Sequence, residues 1–70
     1  MRYAIKHKPT GKFLYEDEGG CFLVKEEDAF ITFGRKKEAD EMYNDMVKYN
    51  NIILTEDGDF PVTDFEVAEV

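Results

Sequence analysis

Only one stretch of this chain repeats its apolar residues with a helical period, and that restricts how everything else can be arranged. Ala39, Met42, Tyr43, Met46 and Val47 fall at i, i+3, i+4, i+7 and i+8, the apolar stripe of one amphipathic helix. The pattern predicts a helix from Arg35 to about Asn50, stopped by Asn50-Asn51. Lys36 with Asp40 and Lys37 with Glu41 stand at the spacing of i, i+4 pairs. Elsewhere the apolar residues come in short runs bounded by Gly, Pro or charge clusters, which is how strands are punctuated.

Tyr3, Ala4 and Ile5 open an extended segment that meets Lys8-Pro9-Thr10-Gly11, a turn in which Pro presets φ and Gly supplies a left-handed residue. The return strand is Lys12 to Tyr15, closed by Glu16-Asp17-Glu18-Gly19-Gly20, and Cys21 to Val24 is a third strand. Phe30-Ile31-Thr32-Phe33 has the β-branched and aromatic content of a fourth. After the helix, Ile52 to Thr55 reads as a central strand with both faces buried, Glu56-Asp57-Gly58-Asp59 as a turn, and Phe60 to Val67 as the last strand. The expected fold is therefore α+β: a small antiparallel β-sheet of four to six strands with one helix, in the order ββββαββ, forming a single domain over residues 1–70.

Such a short chain has a thin stability margin, and one helix covers only one face of a sheet. The expectation is a homodimer, with Ile52 to Leu54, or Phe65 and Val67, near the twofold contact. Disulfides cannot supply the missing stability, because Cys21 is the only cysteine. Residues 1 to 12 carry Arg2, Lys6, Lys8 and Lys12 with no apolar run behind them, which argues against a signal peptide. No stretch approaches the roughly 20 apolar residues of a membrane span. The expected location is the cytoplasm.

The side-chain inventory argues against catalysis. The chain has no Ser, Gln or Trp, one His and one Cys, so a serine triad is impossible and structural zinc lacks ligands. Cys21 lies in the apolar context Cys21-Phe22-Leu23-Val24 and reads as an inert core thiol. His7, between Lys6 and Lys8, reads as a solvated turn residue. Glu56-Asp57-Gly58-Asp59 lacks the alternating acids of a calcium loop, and Gly19-Gly20 lacks the pattern of a phosphate loop. The expectation is a non-enzymatic protein without metal or cofactor.

Charge is the feature left over. The formal net charge is −7, yet residues 1 to 12 are basic while residues 38 to 70 carry ten acidic side chains against Lys48 alone. An acidic surface repels phosphate backbones and anionic lipids and attracts basic proteins, so neither direct nucleic-acid binding nor membrane binding is expected. Glu38, Glu41 and Asp45 share the helix face turned away from Ala39, Tyr43 and Met46, and Glu41 with Asp45 is a like-charge i, i+4 pair. On the last strand, Asp64 and Glu66 should point to one side about 6.6 Å apart, of the same order as the ~3.4 Å axial rise per phosphate along a nucleic-acid strand. With Glu56, Asp57 and Asp59 these make the candidate partner-binding set.

The acidic helix around Glu38-Ala39-Asp40-Glu41-Met42 and the basic opening from Arg2 to Lys12 resemble, in style, the small acidic accessory proteins with which tailed bacteriophages take over their hosts. The resemblance implies a DNA-mimicking inhibitor of a basic, nucleic-acid-binding host protein, acting in the host cytoplasm. The alternative is an interaction module that docks through an exposed apolar patch or sheet edge, for example on RNA polymerase or a protease. It rests on the aromatics Phe13, Phe22, Phe30, Phe33, Phe60 and Phe65.

Overall fold

The first hairpin forms where the sequence places it. In the computed structural model, which describes residues 1–70, β1 (Tyr3–His7) and β2 (Lys12–Asp17) are joined through Gly11, whose φ is 72°. β3 (Gly20–Val24) pairs with β2 in antiparallel register, Leu14 opposite Leu23 and Glu16 opposite Cys21. The helix α1 (Lys36–Tyr49) matches the expected stripe, with Ala39 and Met46 buried. Two further strands, β4 (Ile52–Thr55) and β5 (Gly58–Pro61), then form a hairpin of their own. A 3-10 turn, Val62–Asp64, leads into β6 (Phe65–Glu69), which pairs with β1 along its whole length. The main sheet therefore runs β3-β2-β1-β6, and β4-β5 is a separate two-stranded ribbon. The α+β class, with antiparallel strands and one helix, is as expected.

Three local readings change. The stretch Phe30–Phe33 makes only an isolated bridge, Phe33 to Tyr3. β1 and β2 are register partners only at Lys6–Phe13 and His7–Lys12. Beyond that point the Ile31 N–H donates to the Leu14 carbonyl at 3.2 Å, and Tyr3 and Phe33 exchange backbone bonds of 2.9 and 2.8 Å. The segment thus satisfies backbone groups left open where the two strands diverge. Phe30 stacks on Phe13 with ring centroids 4.4 Å apart. Phe13 and Ala4, on the sheet face away from the helix, are both buried. The chain covers this part of its second face itself.

The second change concerns Ile52 to Leu54. Ile53 enters the core, but Ile52 and Leu54 are 53% and 68% exposed. Because β4 belongs to a two-stranded ribbon and not to the centre of a sheet, only alternate residues are buried. Third, the last strand is broken. Pro61, with φ −58°, cannot donate to a ladder and starts the 3-10 turn. The chain leaves β5 there, and β6 joins the other sheet.

One core results. Ile5, Leu14, Leu23 and Phe65 from the sheet meet Met46 of α1, Ile53 of β4 and Val62. The helix packs over β1 and β6, whereas β4 lies beside β3. A gap is left between helix and hairpin. No helix is long and apolar enough to cross a membrane.

Candidate functional site

The β2–β3 turn and the β4–β5 turn lie side by side. The Glu56 N–H donates to the Cys21 carbonyl at 2.8 Å. The Asp57 carboxylate accepts the Leu23 N–H at 2.8 Å. Together they occupy backbone groups of β3, an edge strand of the main sheet, which blunts that edge against strand pairing. Gly20 permits the approach: its φ is 127°, and a Cβ there would stand 3.1 Å from Glu56 Oε1. The two turns gather Glu16, Asp17, Glu18, Glu56, Asp57 and Asp59 at one end of the molecule, with no lysine or arginine in either segment.

Both turns are internally braced. Asp17 accepts from the Gly19 N–H at 2.7 Å. The Thr55 hydroxyl donates to the Gly58 carbonyl at 2.7 Å and accepts from the Asp57 N–H at 3.1 Å. The local field shows in two neighbours. Asp17 raises the Tyr15 pKa, chiefly by charge repulsion of the phenolate and then through a hydrogen bond. Burial, followed by the Cys21 Sγ to Glu16 Oε2 hydrogen bond at 3.4 Å, pushes the Cys21 thiol up. Cys21 is only half-buried and lies against the core rather than inside it.

The candidate acids divide into three groups. Glu38, Glu41 and Asp45 are exposed on α1. Lys36 pairs with Asp40 at 3.1 Å, but no corresponding pair joins Lys37 to Glu41, so Glu41 keeps its charge unpaired. Glu56, Asp57 and Asp59 lie at or beside the acidic end, where Asp57 also has the structural task just described. Asp64 and Glu66 do not form the expected strand-face pair, because Asp64 belongs to the 3-10 turn and β6 begins at Phe65. Glu66 stands across from Lys6, and Asp64 lies 3.6 Å from His7 Nε2. Glu16, Asp17 and Glu18, which in the sequence only close the second strand, join the acidic end. Only the tertiary contact with the β4–β5 turn reveals this.

His7 is the largest departure from the sequence reading. It is 2% exposed, with its ring 4.5 Å from Phe60 and 5.0 Å from Phe65. Nδ1 lies 2.8 Å from the Thr10 hydroxyl. Nε2 makes no hydrogen bond, since Asp64 at 3.6 Å is too distant. With the ring proton on Nε2, the Thr10 hydroxyl donates to Nδ1 and the N–H faces the Asp64 carboxylate. Hydroxyl, imidazole and carboxylate stand in a row that is hydrogen-bonded only on the Thr10 side, and the imidazole is sealed beneath two phenyl rings with no cavity adjoining it. The β1–β2 turn is tied to the 3-10 turn by the Lys8 N–H, which donates to the Asp64 carbonyl at 2.8 Å, and the His7 ring packs against Phe60 and Phe65. The alternation Tyr3, Ile5, His7 was the signal that places it on the core face.

The cavity lies elsewhere. An open groove of about 340 Å³ runs between α1 and β4, with Leu14 and Cys21 at its base and Met42, Met46, Ile52 and Leu54 along its sides. Glu16 lines its acidic end. No cluster of three His, Cys, Asp or Glu side chains is arranged to hold a metal ion. No protein-family model, curated protein or solved structure matches this chain.

Proposed function

We propose that this protein is a non-enzymatic inhibitor or modulator that binds a basic, nucleic-acid-binding protein through its acidic surface, in the manner of a DNA mimic. The observation that carries the reading is the union of the β2–β3 and β4–β5 turns into one carboxylate-rich end without a cation, continued by Glu38, Glu41 and Asp45 on the helix. The charge is also polarised. Lys8 and Lys12 flank the opposite end of β2, about 17 Å from Asp17 at ~3.4 Å per residue. A molecule so polarised turns its acidic end toward a positive partner during encounter. The resemblance in style to phage accessory proteins supports a partner in a bacterial host.

The test is retention of bacterial lysate proteins on the immobilised chain, followed by competition with labelled duplex DNA for each purified protein retained. The expected result is retention of basic proteins that falls steeply as salt rises and the Debye length shrinks from about 10 Å at 0.1 M to about 3 Å at 1 M. The retained protein should lose its DNA when the chain is added. Absence of any basic protein at low salt, or retention indifferent to salt, overturns the proposal.

A further inference from the structure

We propose that the groove between α1 and β4 receives the apolar side chains of a lysine- and arginine-rich amphipathic segment of the partner. This rests on the acidic reading above and adds to it the chemistry of the partner at the contact.

Size and lining come first. At about 340 Å³ the groove falls near the lower end of the range for ligand sites, ~300–1,000 Å³. An engineered cavity of about 150 Å³ holds one benzene, so two bulky side chains fit. Met42 and Met46 offer unbranched, polarisable side chains that adapt to irregular apolar shapes. Ile52 and Leu54 are held outward by the β4–β5 register at 53% and 68% exposure, an apolar surface the fold leaves open.

The rim decides what kind of segment fits. Asp59 is the direct cross-strand partner of Leu54 and shares its face of the hairpin. Glu16 stands at the groove's end. On the helix, at about 100° per residue, Glu38, Glu41 and Asp45 fall on the flank beside Met42, away from Tyr43 and Val47. An apolar groove with Glu16 in its lining and further carboxylates on the adjoining hairpin face and helix flank suits a segment with aliphatic or aromatic anchors on one face and cations around them. A second copy of this chain, at net charge −7, would bring like-charged rims together.

The experiment titrates the full chain, isotopically labelled for NMR, with two synthetic peptides of equal length and lysine count. One peptide carries leucines on one helical face, and the other has glutamine in their place. The leucine peptide is expected to bind at least tenfold more tightly and to shift the Met42, Met46, Ile52 and Leu54 signals. Leu54→Asp, at an exposed position, should abolish that advantage without weakening the glutamine peptide. Ile52→Asp should act the same way. Equal binding of the two peptides overturns the groove proposal and leaves the acidic reading standing. Failure of both peptides at low salt overturns the acidic reading, and the groove proposal with it. Sedimentation at twice the 8.2 kDa chain mass, reverted to the monomer by Leu54→Asp, means that a second copy fills the groove and likewise overturns the proposal.

Discussion

Replacing His7 tests whether its ring is a packing element. In His7→Ala the ring is lost from between Phe60 and Phe65, at a site only 2% exposed. Large-to-small changes in a core cost about 2–5 kcal/mol, and the lost aromatic contacts fall within that figure. Against this, removing Nε2 relieves a buried polar atom that has no hydrogen-bond partner, a saving of about 1 kcal/mol or more. A net loss of about 1–4 kcal/mol is expected. Domains of this size have about 3.5–10 kcal/mol in all, at 0.05–0.15 per residue, so the melting temperature should fall by about 4–30 °C. His7→Phe keeps a ring in the site and discards both nitrogens, including the hydrogen bond to Thr10, and is expected within about 1 kcal/mol of the parent. Urea unfolding followed by far-UV circular dichroism and tyrosine fluorescence gives both numbers. A His7→Ala variant within about 0.5 kcal/mol of the parent would mean the ring is solvated. Equal losses in both variants would mean that the polar links, and not packing, hold it.

The acidic end and its bracing yield further outcomes. Reversing Glu56 to Lys should weaken retention of a basic partner at low salt far more than reversing Glu66, which already faces Lys6; equal effects of these two equal changes in charge would show that only net charge matters. Asp57→Ala removes the acceptor of the Leu23 N–H and should cost about 1–3 kcal/mol in urea unfolding, with faster hydrogen exchange at Leu23. Gly20→Ala forces a Cβ onto a residue at φ 127° beside Glu56 and should destabilise by about 1 kcal/mol or more. Because burial and then Glu16 raise the Cys21 pKa, Glu16→Gln should speed iodoacetamide modification at pH 8. The same shift makes the folded state favour the thiol: its contribution is complete below the unfolded thiol pKa and is lost as pH rises through the higher folded value.

Legibility followed the length scale of the interaction. The helix was readable because its stripe is contained in fourteen residues, and the Lys8–Gly11 turn because Pro and Gly act locally. His7 was misread because Lys6 and Lys8 suggested solvent, although alternation sends residues 5 and 7 inward and 6 and 8 outward. The apolar run Ile52-Ile53-Leu54 showed a strand but not which strand lies beside it, and that neighbour decides whether one face is buried or two. Pro61 was a readable break in the last strand, since proline within a run demotes it. Glu56, Asp57 and Asp59 were legible as candidates, but their union with Glu16, Asp17 and Glu18 into one acidic end was not. It forms from turns more than thirty residues apart in sequence, joined through the Cys21 carbonyl and the Leu23 N–H.

That joining bears on how the acids would act together. Carboxylates on a floppy loop must lose conformational freedom to meet a partner, and each immobilised long side chain costs about 0.5–1.5 kcal/mol. Here much of the backbone ordering has already occurred on folding: Asp17 braces one turn, Thr55 the other, and Asp57 with the Glu56 N–H fastens the second turn to β3. The ordering opposes mutual repulsion among the charges, so it draws on the folding energy of a small domain. A cationic partner relieves that repulsion, and by linkage must raise the unfolding temperature when it binds the folded chain alone. The basic turn at Lys8 and Lys12 stays at the far end of β2, where it would orient such a partner without neutralising the acids. The groove opens beside the acidic end, so on the proposed reading steering by charge and anchoring by apolar contact would be successive steps of one encounter.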